Sequence, residues 1–177
     1  ISGLLPLDEG EVKIDGENYR NLNIHTLQRQ IGFITQDPVI FNDSIFNNVT
    51  FWDKPTSENK ARFAKAVEKA AIADFIESLE KKENTELGNN GINLSGGQKQ
   101  RLSIARELYK EVNFLFMDEA TSALDGETEA IIQANIENLK GKYTIVTIAH
   151  RLSTIKNSDR IILLEGGEIT SIGTYNE

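Results

Sequence analysis

Val112-Asn113-Phe114-Leu115-Phe116-Met117-Asp118-Glu119 is an apolar run that ends in two adjacent carboxylates. The residues from Val112 to Met117 suit a buried strand. Downstream, Ile131, Ile132, Asn135, Ile136 and Leu139 recur at helical spacing and predict a helix over Glu127 to Leu139. A β-branched run from Tyr143 to Ala149 then predicts a second strand. Strand, helix and strand in this order imply a parallel pair, since the helix supplies the crossover that parallel pairing needs. The fold class is therefore α/β, layered around a parallel sheet. In open sheets of this kind ligands bind at the carboxyl ends of the strands. That edge is where Asp118 and Glu119 fall, with side chains pointing to different sides. One carboxylate there can hold the water shell of a Mg²⁺ ion, and the next can activate a water. Each alone is also what a polar loop after a buried strand looks like.

Working outward, His150 ends the strand that runs to Ala149 and reaches the same edge. Gln36 follows another short apolar run, Ile31 to Thr35, which Pro38 prevents from continuing. Upstream of the first strand stands Leu94-Ser95-Gly96-Gly97-Gln98, opening a helix that runs to about Tyr109. Glycines beside a serine at a helix N-terminus let backbone N–H groups approach a phosphate. The same three residues also occur at helix starts that bind nothing.

The clearest helix by periodicity spans residues 57 to 80, with Thr56 as N-cap and Phe63, Val67, Ala70, Ala71, Phe75, Ile76 and Leu79 on one face. Glu11 to Gly16 reads as a strand ending in an Asp-Gly turn. Arg160 to Leu164 and Ile169 to Ile172 read as a hairpin around Gly166-Gly167. Ile1-Ser2-Gly3-Leu4-Leu5-Pro6 has the pattern of a helix end.

Composition narrows the function classes. The 177 residues carry 19 Lys+Arg against 27 Asp+Glu, a net charge of −8, which argues against broad electrostatic binding to nucleic acid. The absence of cysteine removes disulfides, thiol nucleophiles and thiolate metal sites together. No apolar run reaches the length of a membrane span, and no signal-peptide pattern leads the chain.

Taken in chain order, Gln36, Leu94-Ser95-Gly96-Gly97-Gln98, Asp118-Glu119, Ser122-Ala123-Leu124-Asp125 and His150 resemble the nucleotide-binding domain of ABC transporters. The match at 94–98 to that family's signature motif is complete, and the resemblance covers the whole chain. It implies a P-loop NTPase core, RecA-like, with an inserted helical subdomain. It divides the chain into a remnant of the core and β subdomain (1–36), the helical subdomain with the signature (37–110), and the C-terminal part of the core (111–177). Gln36 resembles the Q-loop glutamine that reaches Mg²⁺ and the attacking water. Ser95, Gly96, Gly97 and Gln98 resemble the signature, which touches the γ-phosphate of an ATP held by the opposite subunit. Asp118 resembles the Walker B aspartate that orients Mg²⁺, and Glu119 the general base. Ser122 to Asp125 resemble the D-loop at the dimer interface, and His150 the switch histidine on the γ-phosphate.

The implied cofactors are ATP and Mg²⁺. The implied partners are a second nucleotide-binding domain, paired head to tail, and a transmembrane domain, at the cytoplasmic face of a membrane. His150-Arg151-Leu152-Ser153-Thr154-Ile155 and Thr85-Glu86-Leu87-Gly88-Asn89-Asn90-Gly91 are similar to the exporter-type members, with Asn89 where the family usually has an acidic residue.

The family's P-loop, Gly-x-x-x-x-Gly-Lys-Ser/Thr, does not occur in residues 1–177. At the sole Gly-Lys, Gly141-Lys142, position 136 is Ile and position 143 is Tyr. The expectation is a chain that begins just downstream of that motif, and whose isolated form binds ATP poorly and does not hydrolyse it. Two alternatives remain at this level. One is a naturally truncated module that lends its signature to a partner. The other is an ATPase of the DNA-repair or chromosome type, although residues 37 to 93 are too few for the long coiled-coil insertion of those proteins.

Overall fold

A computed structural model describes residues 8–119, 124–149 and 152–177. Its centre is a three-stranded parallel sheet in the order β3-β4-β5, formed by Ile31–Ile34, Phe114–Asp118 and Thr144–Ile148. Gly32 pairs with Leu115, and Leu115 with Ile145; Phe33 pairs with Phe116, and Phe116 with Val146. The helix that links the last two strands, α6 (Gly126–Glu137), is the expected crossover.

Before the sheet lie a small hairpin, β1 (Lys13–Ile14) and β2 (Glu17–Asn18), and a short helix, α1 (Ile24–Arg29). Asp15 and Gly16 both take positive φ, 51° and 84°, as a two-residue hairpin loop demands. The expected strand thus ends at its Asp-Gly turn, with Lys13–Ile14 as its paired part. Between β3 and β4 come α2 (Ile45–Thr50), α3 (Ser57–Lys69), α4 (Ala73–Glu77) and α5 (Gly96–Tyr109). After β5 follow α7 (Leu152–Ile155) and an antiparallel hairpin, β6 (Ile161–Glu165) with β7 (Glu168–Gly173). Gly166 and Gly167 both have positive φ at its tip, so the predicted turn is present.

The helix expected over residues 57–80 is two helices. Thr56 caps the first, its hydroxyl accepting from the Asn59 backbone N–H at 3.2 Å. The break falls at Ala71, whose φ is +52°. Ile72 N–H reaches back to the Val67 carbonyl and Ala71 N–H to that of Glu68, closing the end as a left-handed cap normally closed by glycine. The apolar spacing runs on because Ile72 and Ile76 enter the same core as Phe63 and Val67. Periodicity alone cannot see such a turn.

α5 is the hub. Every residue from Leu102 to Tyr109 is buried, and the helix lies between α2, α3 and strand β3. Leu102, Ile104 and Ala105 join Ile45, Val49, Phe63, Val67, Leu115 and Met117 in one apolar cluster. Gly32 permits the close approach of α5 to the sheet: a Cβ there would stand 2.9 Å from a Glu107 carboxylate oxygen and 3.1 Å from Leu115 and Val112. Among the described residues no helix is long and apolar enough to cross a membrane.

Candidate functional site

The parallel register brings the carboxyl ends of β3 and β4 side by side, since Ile34 pairs with Met117. Two residues beyond Ile34 stands Gln36; beyond Met117 stand Asp118 and Glu119. The Gln36 side-chain amide donates to a Glu119 carboxylate oxygen at 3.3 Å, across 83 residues of sequence. Glu119 is half-buried, whereas Gln36 and Asp118 are exposed. Its backbone N–H donates to the Ile148 carbonyl at the end of β5, 3.1 Å away. Its φ is +47°, a left-handed conformation uncommon for a residue with a Cβ and found disproportionately at functional sites. All three strand ends therefore converge on Glu119. His150 lies outside the described residues, as do Ser122 and Ala123.

Ser95 and Gln98 form a second group. Ser95 is the N-cap of α5: its hydroxyl accepts from the Gln98 backbone N–H at 3.3 Å, and the Gln98 side-chain oxygen accepts from the Ser95 N–H at 2.8 Å. This reciprocal capping box fixes the first turn. Ser95 and Gly96 are exposed, and Gly97 and Gln98 are half-buried. The helix N-terminus thus faces outward with the polarity that favours an anion. Ser95 appears at the sequence level as a hydroxyl donor to phosphate. In the folded chain its oxygen also accepts as the helix cap, a role that does not use its O–H donor.

Asp125 caps α6. The Thr128 backbone N–H donates to its carboxylate at 2.9 Å, and that bond, followed by the Thr128 hydroxyl, holds the carboxyl below the usual carboxylate range. Leu124 beside it is buried in the main cluster. One residue of this segment is an anchor and the next a surface cap.

The segment Thr85 to Leu87 is tied to the chain after Gln36. Ile45 N–H donates to the Thr85 carbonyl at 3.0 Å, and Leu87 N–H to the Asp43 carbonyl at 2.9 Å. Asn89, Asn90 and Gly91 then form a single 3-10 turn in which Asn90 takes φ +49°.

The donor set at the sheet edge consists of hard oxygen ligands: Asp118, Glu119 and the Gln36 amide. Carboxylates beside an amide, exposed enough to leave room for water, suit Mg²⁺, which keeps much of its hydration shell. No group of three or more His, Cys, Asp or Glu side chains clusters as a metal cage among the described residues.

Sequence reasoning missed three residues of α5. Gln100, Arg106 and Glu107 are buried, at 0%, 7% and 4% exposure, and each reaches the chain on either side of Gln36. Gln100 and Glu107 lie seven apart, a helical repeat that puts them on one face. That spacing was visible. Their polarity, beside Lys99 and Arg101, is nevertheless that of a solvated helix side, so nothing in the sequence marks them as buried.

A family model described as ABC transporter matches residues 1–122. An ATP-dependent lipid A-core flippase of Ralstonia nicotianae is 47% identical over 169 residues, covering 95% of this chain and 28% of that protein. ABC transporter B family member 2 of Dictyostelium discoideum is 44% identical over 170 residues, covering 96% of this chain and 12% of that protein. A solved structure of a bacterial Atm1-family ABC exporter with ATP bound is similar with a TM-score of 0.88 and 40% identity, over 96% of this chain and 30% of that one. The chain spans less than a third of the length of each of these relatives.

Proposed function

We propose, because this chain belongs to the ABC transporter family, that it is part of the ATPase unit that powers export of a substrate across a membrane. The observation that carries the reading is the hydrogen bond from Gln36 to Glu119 at the joined ends of two parallel strands. It ties the family's Q-loop glutamine to its candidate base.

In this reading Glu119 accepts the proton of the attacking water, and its bond to Gln36 holds the carboxylate facing that water. Asp118 would hold the water shell of Mg²⁺, with the Gln36 amide oxygen as a further candidate ligand; a bound ion would supply neutralisation of phosphate charge. His150 donates to the γ-phosphate. Such phosphoryl transfer depends on positioning and charge stabilisation more than on covalent chemistry.

Ser95, Gly96, Gly97 and Gln98 serve a second site. They present the N-terminus of α5 to the γ-phosphate of ATP bound by another copy or a related subunit, paired head to tail. Two features support this: Ser95 and Gly96 are exposed, and the Ser95 and Gln98 side chains each accept from the other's backbone N–H, which fixes the turn. Ser122 to Asp125 lie at that interface. Residues 1–36, 37–110 and 111–177 act as core remnant, helical subdomain and core. The partner in the membrane is a transmembrane domain, and the ATPase unit sits on the cytoplasmic side.

The test is Glu119→Gln in the full-length protein. Loss of a general base lowers turnover by about 10²- to 10⁴-fold. Mg-ATP binding should persist, because the phosphate contacts survive. Turnover within a few-fold of the parent would show that Glu119 is not the base.

A further inference from the structure

Gln36 sits on an exposed loop, yet the backbone on both sides of it is held from below by one helix. The Gln100 side-chain amide donates to the carbonyl of Thr35, the residue before Gln36, at 3.2 Å. A Glu107 oxygen accepts from the Phe33 backbone N–H at 3.2 Å, while Lys110 Nζ donates to both Glu107 oxygens at 2.8 and 2.9 Å. Arg106 donates to the Val39 carbonyl at 2.9 Å and to the Asn48 carbonyl at 2.8 Å. Asn48 in turn exchanges two bonds with the Phe41 backbone, at 2.8 and 3.0 Å. Positions 33, 35, 39 and 41 are thus all fixed, three of them directly to α5. That helix begins at Ser95.

Gln100 is the member whose presence packing does not explain. It is fully buried, and its side-chain oxygen has no hydrogen-bond partner among the described residues. A buried acceptor left unmade is unfavourable, and an apolar residue of equal length would avoid it. What an apolar residue could not supply is the bond to Thr35.

We propose that Gln100 is a positioning residue for Gln36. By holding the Thr35 carbonyl it sets the direction in which the next side chain leaves the strand, and so keeps the Gln36 amide on Glu119. This inference rests on the roles read for Gln36 and Glu119 above.

The experiment uses the full-length protein with Mg-ATP and three variants: Gln100→Met, Gln36→Ala and both together. Methionine keeps the volume and removes both the bond and the orphan acceptor, so folding should be little altered. Amide exchange of segment 35–39 should quicken in Gln100→Met, while that of the 13–18 hairpin stays unchanged. Turnover should fall about tenfold, as for loss of a supporting hydrogen bond, with KM for ATP within about twofold of the parent. In the Gln36→Ala background, Gln100→Met should cost less than about twofold more, because the residue acts through Gln36. Unchanged exchange at 35–39 would overturn the proposal, as would an equal loss of turnover in both backgrounds. A Gln36→Ala protein with parental turnover would instead overturn the reading of Gln36 itself, and with it the catalytic part of this proposal, whatever exchange showed.

Discussion

The two faces of the central sheet are made of similar residues and meet different surroundings. On one face Leu115 and Met117, at 1% and 3% exposure, pack beneath α5 beside Ile34. On the other, Phe33 stacks on Phe116 with ring centroids 5.2 Å apart, and Val146 stands next to them. Phe33 and Val146 are 37% and 38% exposed, and Phe116 and Val146 border a groove of about 530 Å³ that also takes in Val12 and Tyr143. A sheet face selected for water would alternate to polar residues here; parallel sheets with both faces covered are apolar throughout. The composition of the open face is that of a covered one. The β6–β7 hairpin repeats the pattern, with Ile162, Leu164, Ile169 and Ile172 all more than half exposed. Apolar composition thus records what a surface is suited to touch, and only the packed face turns it into stability within this chain.

Leu115→Ala is the strongest test of that difference. It empties a fully enclosed site, and denaturant unfolding of the 177-residue chain should show a loss of about 2–5 kcal/mol. Val146→Thr, one strand over on the opposite face, should stay within about 0.5 kcal/mol in the same measurement. Comparable losses for the two would break the distinction between the faces. So would a Val146→Thr cost in the full-length protein no greater than in the chain alone, if the open face is covered there.

Much of this architecture was legible beforehand, for identifiable reasons. The crossover from β4 through α6 to β5 is strongly periodic and follows a handedness and pairing rule, so its parallel order could be read directly. Thr56, read as an N-cap from its residue type, is one. The break at Ala71 was not legible, because an alanine in a left-handed conformation leaves no mark in composition. Nor was α2, whose Ile45-Phe46-Asn47-Asn48-Val49-Thr50 has poor helix formers throughout. It holds because Ser44 caps it, accepting from the Asn47 N–H at 3.1 Å, and because Ile45 and Val49 are fully buried. At the site, the adjacency of Gln36 and Glu119 follows from strand register, which a single sequence does not display. The grip of Gln100, Arg106 and Glu107 on the Gln36 segment depends on which face of α5 is inward, and their polarity points the wrong way.

Two tyrosines carry the comparison between the faces to its smallest measurable effect. Tyr109 closes α5 on the packed side, at 3% exposure. Its hydroxyl donates to Asp53 at 2.8 Å, and the Arg62 guanidinium lies 4.4 Å above its ring. Burial, and then the bond to Asp53, push its phenol up to about 12. Tyr143 borders the open groove; burial and then the charge of Glu111 raise it as well. A phenol whose value is higher folded than unfolded stabilises the fold fully below its unfolded value of 10.0, and that contribution is lost as pH rises through the folded value. Between pH 10 and about 12, Tyr109 should therefore add to alkaline destabilisation. Tyr109→Phe should flatten the fall in stability across that window, and remove the last-ionising phenol from the tyrosinate absorbance titration. Tyr143→Phe should change both less. A final titration step that survives Tyr109→Phe and vanishes in Tyr143→Phe would mean that the groove side, not the helix side, is the drier of the two.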